Sequence, residues 1–309
     1  MLRFRHLLPE HLFAFEEGAM KRLGLLLVTY CLLSFNASLV VVGQTLNNER
    51  ETASSLRAAA LSYYDRKEFE KAVSALKQAI SQRPDYAEAY NDLGLTYAAV
   101  GRRSEAIASL QEAIRCRPGF TIAINNLGVE YFEAKQINLA IQSFQQAIQL
   151  DPRYSVAFNN LGASFSDAGR SKEAIEAYEK AIELRPDWPQ AHRNLALASA
   201  PGDDYERVFK HLNIAISLQP DFYEAYNSLG VAHYRKGHYR EAVAALQQAI
   251  KIKRDYDDAL YNLGLLQLAV NKRNEALEQY HKLKGVNPTL ADVLYAGIFR
   301  GMILDLRNK

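Results

Sequence analysis

Residues 119–152 read GFTIAINNLGVEYFEAKQINLAIQSFQQAIQLDP and residues 153–186 read RYSVAFNNLGASFSDAGRSKEAIEAYEKAIELRP. Both stretches end on a proline and carry Asn-Asn-Leu-Gly at the same place. Ile124, Leu127, Gly128 and Tyr131 in the first, and Phe158, Leu161, Gly162 and Phe165 in the second, fall at i, i+3, i+4 and i+7. That spacing makes one apolar stripe on a helix. Outward from this pair, proline recurs every 34 residues at Pro84, Pro118, Pro152, Pro186 and Pro220, and again at Pro288, with Arg254 in the skipped place. A constant period of this length, helical between its prolines, predicts helix–turn–helix units that stack, because one helix pair cannot bury its stripe alone.

Counting from the prolines divides residues 53–290 into seven abutting units. The second supplies Tyr90, Leu93-Gly94, Tyr97, Ala106, Leu110 and Ala113. The sixth supplies Tyr226, Leu229-Gly230, Ala242, Leu246 and Ala249, and the seventh Leu260, Leu263-Gly264, Ala276 and Tyr280. Together with the two stretches above, these positions resemble the tetratricopeptide repeat (TPR) family over about three quarters of the chain. The resemblance implies an all-α fold, a right-handed superhelical solenoid of helix–turn–helix repeats whose first helices line a concave groove. A helical glycine costs roughly 1 kcal/mol against alanine, so the repeated glycines are expected where the second helix lies close against the backbone.

Two units depart from the pattern. The fifth reads His192, Leu195-Ala196 and Ser199, then Ala200-Pro201-Gly202-Asp203-Asp204. Proline inside a helix costs about 3 kcal/mol, so this first helix is expected to end near Ala198 or Ser199. Val208, Leu212, Ala215 and Pro220 keep the phase, so the unit bends into a loop without being lost. The first unit has Ala59-Ala60 in place of Leu-Gly and reads as an atypical terminal repeat. Beyond the repeats, Val293, Leu294, Ile298, Phe299 and Met302 predict a capping helix over 291–309.

The chain opens differently. Residues 1–22 are a basic segment, 23–43 an apolar one and 44–52 a linker. The uncharged run from Leu23 to Val42 matches the ~20 residues a bilayer-crossing helix needs. Read from Met20, it also resembles a secretory signal with a cleavage site at Val41-Val42-Gly43. A cleaved signal and a retained anchor both remain open, as does a start at Met1 or Met20. Either places the repeats on the extracytoplasmic side, periplasmic if the cell has such a space, soluble after cleavage or held to the membrane by residues 23–42. Cys31 lies in the apolar run and Cys116 in a repeat, so no disulfide between them is expected.

Charge excludes one class of partner. There are 37 basic against 35 acidic residues and no basic stripe, so no nucleic acid is expected. No HExxH, GxxxxGK[ST] or GxSxG motif is present. His192, His211, His233, His238 and His281 read as scattered packing or surface residues with no i, i+4 pair for a metal. The chain is therefore expected to be no enzyme and to hold no catalytic residues, metal or cofactor.

What remains is a pattern on the first helices. Asparagine stands just ahead of Leu at Asn91, Asn125, Asn126, Asn159, Asn160, Asn194, Asn227 and Asn262. A side-chain amide both donates and accepts, and can hold the backbone of an extended peptide with little regard to its sequence. Asn126, Asn160, Asn194 and Asn262 share one repeat position and resemble the asparagine ladder in the TPR arm of O-linked N-acetylglucosamine transferases, interrupted here by Asp92 and Ser228. One turn on, Leu95, Val129, Ala163, Leu197, Val231 and Leu265 form an aliphatic row, unlike TPR domains that clamp a carboxylate with basic residues. Both rows are expected in the groove, holding an extended or helical segment of a protein partner. Two readings follow: an exported or membrane-tethered scaffold, or a substrate-recruiting arm for a separately encoded enzyme such as a glycosyltransferase or protease. Oligomeric state is not legible.

Overall fold

The computed structural model describes residues 50–300. The expected basic segment, the signal or anchor at 23–43, most of the linker and residues 301–309 of the expected cap lie outside the described residues. No helix among the described residues is long and apolar enough to cross a membrane.

Every regular element described is helical, and inside each of two compact units consecutive helices pack as neighbours. A first compact unit extends to Cys116. It holds α1, helical over 50–65, α2 (Phe69–Gln82), α3 (Ala87–Ala99) and α4 (Arg103–Cys116). Because residues 50–52 are already helical, the linker stops short of 52; Arg50-Glu51-Thr52 contains neither glycine nor proline to break the helix. Ala60, Leu76, Leu93 and Tyr97 share one core there, which places the atypical first repeat in register with the second.

The second unit starts at Arg117. It runs through α5 (Thr121–Glu133), α6 (Ile137–Leu150), α7 (Ser155–Asp167), α8 (Ser171–Leu184), α9 (Pro189–Ser199) and α10 (Tyr205–Leu218). It continues as α11 (Tyr223–Arg235), α12 (Tyr239–Ile252), α13 (Asp257–Ala269), α14 (Arg273–Val286) and α15 (Pro288–Arg300). Odd-numbered helices α5–α13 are the first helices of repeats three to seven. Each pairs with the next even-numbered helix, and neighbouring first helices also touch.

Two local rules repeat along the chain. Every turn inside a repeat places one residue in the left-handed region, at Lys67, Gly101, Lys135, Gly169, Asp203, Gly237 and Asn271, and these again lie 34 apart. This is the conformation that ends a helix by returning N–H groups to its last carbonyls, as when Gln136 donates to Tyr131 O at 2.8 Å. The second rule concerns the helical glycines. A Cβ on Gly128 would stand 2.6 Å from Phe144 Cε1, and one on Gly162 2.8 Å from the Tyr178 ring. The missing side chain therefore receives the largest residue of the second helix, which is why the helix tolerates glycine there.

The fifth repeat breaks where proline demands. α9 ends at Ser199, a 3-10 turn covers Ala200–Gly202, and Asp204 caps α10 by accepting from the Arg207 N–H at 3.2 Å. The cap differs from expectation: α15 starts at Pro288, three residues before 291. Asn287 Oδ1 accepts from the Leu290 N–H at 3.1 Å, so Pro288 begins the helix, where a missing N–H costs nothing. Leu290, Leu294 and Ile298 are buried, and Leu294 takes the place against Gly264 that earlier repeats give to their own second helix.

Candidate functional site

In the first unit the first-helix side is apolar and open. Leu61 and Tyr64 of α1 and Leu95 of α3 are exposed around a shallow, open cleft floored by Ala60, Leu76 and Thr96. Asp92 forms its polar edge and is held by Arg57, whose Nε donates to Oδ2 at 2.6 Å.

The same contact, between residues 35 apart, recurs in the second unit and changes the meaning of the asparagines. Asn160 Nδ2 donates to Asn125 Oδ1 at 3.0 Å, Asn194 to Asn159 at 3.1 Å, and Asn262 to Asn227 at 3.0 Å. At the intervening junction Arg193 Nε donates to Ser228 Oγ at 3.1 Å and to Glu224 O at 3.3 Å. Each pair joins the first helix of one repeat to the first helix of the next. Asn91, Asn125, Asn227 and Asn262 are buried, the last two completely. These four are therefore not groove-lining groups as expected: a side chain closed to water by its own packing does not face a peptide in the groove. Asn126, Asn159, Asn160 and Asn194 are half-buried, and the last three belong to the clasps.

The aliphatic row divides in the same way. Leu95 is exposed, and Val129, Ala163 and Leu197 are half-buried. Val231 and Leu265 are buried, against expectation. Val231 lies with Leu197 and Ala200 in the wall of a small cleft where α11 meets the fifth repeat, and Leu265 joins the terminal core that contains Leu294 and Ile298. In compensation, Ile122 of α5 is 50% exposed and Val156 of α7 is half-buried. Both stand at the repeat position where α3, α11 and α13 carry Glu88, Glu224 and Asp258; that swap of acid for aliphatic was the signal sequence reasoning passed over.

Arg193 is the cation set among the first helices of the fifth and sixth repeats. Burial pulls its guanidinium below the usual arginine range, while Tyr256, Glu224 and Asp258 oppose the shift. Burial also pushes the Tyr178 hydroxyl up to about 12.

Four of the five histidines named above are paired, not scattered; His281 stands apart from them, beside Tyr280. His192 Nδ1 lies 2.9 Å from His211 Nδ1 across α9 and α10, the rings stacked 5.2 Å apart. Burial, then the charges of His192, Lys210 and Arg207, push His211 down to about 4. His233 and His238 bring their Nδ1 atoms to 3.4 Å across the turn between α11 and α12. Packing of α10 on α9 makes the first pair and the turn at Gly237 the second, at separations of 19 and 5 residues that helical periodicity does not flag. Among the described residues no group of three or more His, Cys, Asp or Glu side chains is gathered as for a metal ion.

The sequence matches descriptions of the TPR repeat at residues 60–101 and 232–271, and of the tetratricopeptide repeat at 87–117, 122–154 and 155–187. The chain belongs to the tetratricopeptide repeat family. Chains of such repeats are protein–protein interaction scaffolds. These matches leave out residues 188–231, the stretch that contains the bent fifth repeat.

No curated protein sequence matches it. Among solved structures it is similar to a TPR protein from Parabacteroides merdae (TM-score 0.65, 18% identity, 80% of this chain and 99% of that one). It is also similar to pilF of Pseudomonas aeruginosa (TM-score 0.60, 19% identity, 67% and 94%). A third likeness is to the APC/C hetero-tetramer Cut9-Hcn1 (TM-score 0.66, 18% identity, 78% of this chain), of which it spans 48% of the matched chain. At these identities the likeness establishes the TPR fold.

Proposed function

We propose that this TPR chain is a non-catalytic scaffold, exported or membrane-tethered through residues 23–42, that seats a segment of a partner protein on its first helices. The observation that carries the reading is the cleft ringed by Leu61, Tyr64 and Leu95, three large apolar side chains left in water on an otherwise well-packed unit. Exposed apolar groups gathered around a concavity mark an interaction site. A partner segment would place an apolar side chain there, in an extended or helical form. In the second unit, Ile122, Val129 and Val156 offer the corresponding contact, and the asparagine clasps hold the helices that present it.

The test is site-specific photocrosslinking in cells of the native host, with the reactive residue placed at position 95 or, as a control, at Leu150, which is exposed on α6. The reading requires one dominant partner captured from position 95, not from 150, and its loss on Leu61→Glu at unchanged helicity. Equal capture from both positions would end the groove reading. Many transient, unstructured adducts together with a co-purifying enzyme would convert the scaffold into a substrate-recruiting arm. Cell fractionation of the same strains tests export: recovery with the cytosolic proteins refutes it.

A further inference from the structure

Two histidine pairs lie close to one another in sequence, and their geometry separates them. In the first, the 2.9 Å separation is an ordinary N–H···N hydrogen bond. His192 Nε2 stands 2.9 Å from Pro186 O, which can only accept. His192 therefore carries its proton on Nε2, accepts at Nδ1, and His211 Nδ1–H is the donor. This pair is closed: His192 is buried, and Lys210 and Arg207 bring positive charge toward His211.

The second pair has none of those properties. Its 3.4 Å separation is too long for a normal N–H···N bond. An ion placed 2.0–2.1 Å from both Nδ1 atoms would subtend an angle of about 110°, the tetrahedral value for imidazole ligands of Zn²⁺. The turn holds the two backbones together: the His238 N–H donates to His233 O at 2.9 Å around Gly237. Phe209 of α10 stacks on the His233 ring at 4.6 Å and restrains it. His238 is exposed and His233 half-buried, so water reaches the space between them. The neighbouring Lys236 lies over the Tyr205 ring at 5.1 Å, and the carboxylate whose charge acts on His233 is Glu241, in the first turn of α12.

We propose that His233 and His238 form a two-histidine chelate for a late first-row divalent ion, Zn²⁺ or Cu²⁺, with its remaining positions open to water or to a donor from a bound partner. Neutral imidazole is the ligand type such ions favour, and Cu²⁺ is expected to bind more tightly than Zn²⁺. The open positions make the site exchangeable, unlike a closed four-ligand structural zinc site.

The experiment is titration of the purified full-length chain with Zn²⁺ and with Cu²⁺ near pH 7.5, read by calorimetry and, for Cu²⁺, by electron paramagnetic resonance. One saturable equivalent with two-nitrogen hyperfine structure is expected. It should be lost in His238→Ala and in His233→Gln and kept in His211→Ala and His281→Ala, with circular dichroism unchanged in the exposed His238 variant. The proposal is overturned if the wild-type chain takes up no equivalent, or if His238→Ala binds as the wild type does. Loss of the equivalent in His211→Ala alone would move the site to the other pair and overturn it equally.

Discussion

The fourth and fifth repeats occupy successive turns of the same period yet solve it differently. In the fourth, Gly162 admits the Tyr178 ring, α7 runs its full length, and Gly169 takes the left-handed turn. In the fifth, Ala196 stands in the glycine's place, Leu212 replaces the tyrosine, Pro201 shortens α9, and Asp203 takes the left-handed turn. Both nevertheless bury the same positions: Leu161 and Leu195, Ala174 and Val208, Tyr178 and Leu212, Ala181 and Ala215. The repeat is thus defined by its buried contacts and by one backbone conformation at the turn. Length of the first helix is secondary, so a proline can be accommodated without loss of phase.

If that is right, the core residues should cost alike in both repeats. Tyr178→Ala is expected to destabilise by about 3–5 kcal/mol and Leu212→Ala by about 2–5 kcal/mol, read from urea unfolding followed by circular dichroism. A negligible effect of Leu212→Ala would mean that the bent repeat is held by its neighbours alone. Gly162→Ala comes next. A helix interior gains roughly 1 kcal/mol from this change, but the new methyl meets Tyr178 at 2.8 Å, and overpacking costs about 1–3 kcal/mol. A net loss is expected in the fourth repeat, whereas the fifth already carries that methyl against the smaller Leu212.

The parts legible in the sequence were those governed by local phase. The 34-residue period, the stripe of Ile124, Leu127 and Tyr131 and the early end of α9 depend on spacing and on proline chemistry, which a single chain displays. The asparagines were visible as residues but not as pairs. Asn160 meets Asn125 one residue out of phase with the repeat, a contact set by how one helix lies on the next. Burial of Leu265 was hidden for a related reason: it depends on α15, whose start was displaced by the Asn287 cap. The histidine pairs rest on contacts across helices and across a turn, where periodicity gives no signal.

The clasp between these repeats tests the pairing directly. Asn194→Ala removes the donor to Asn159 and leaves a half-buried carbonyl unmet, at a cost of about 1–2 kcal/mol. Asn159→Ala added to it should cost little more, a coupling that a double-mutant cycle measures; full additivity would dissolve the clasp. Acid separates the two repeats further. Phe158 and Ala177 stand where the fifth repeat has His192 and His211. His211 is held at about 4, below the ~6.5 of an unfolded histidine, so its neutral state supports the fold fully above pH 6.5 and that support is lost as pH falls towards 4. Protection of the α9 and α10 amides against exchange, corrected for the intrinsic rate, should therefore fall between pH 6.5 and 4 more than that of α7 and α8, and His211→Ala should remove the difference.

The smallest effect is the most discriminating, because it should change sign between the repeats. Gly169 and Asp203 hold the same turn position with φ of 72° and 56°. A side chain there is strained by contact of its Cβ with the following carbonyl, and glycine is not. Gly169→Ala introduces that strain into the regular repeat and is expected to cost about 1 kcal/mol. Asp203→Gly removes it from the bent one, and the greater freedom glycine gives the unfolded chain leaves a gain of at most about 0.5–1 kcal/mol. Opposite signs in urea unfolding would show that the turn conformation, and not the residue filling it, is what the fifth repeat kept when its helix was cut short. Equal losses would mean that the Asp203 side chain contributes something the fourth repeat does not need.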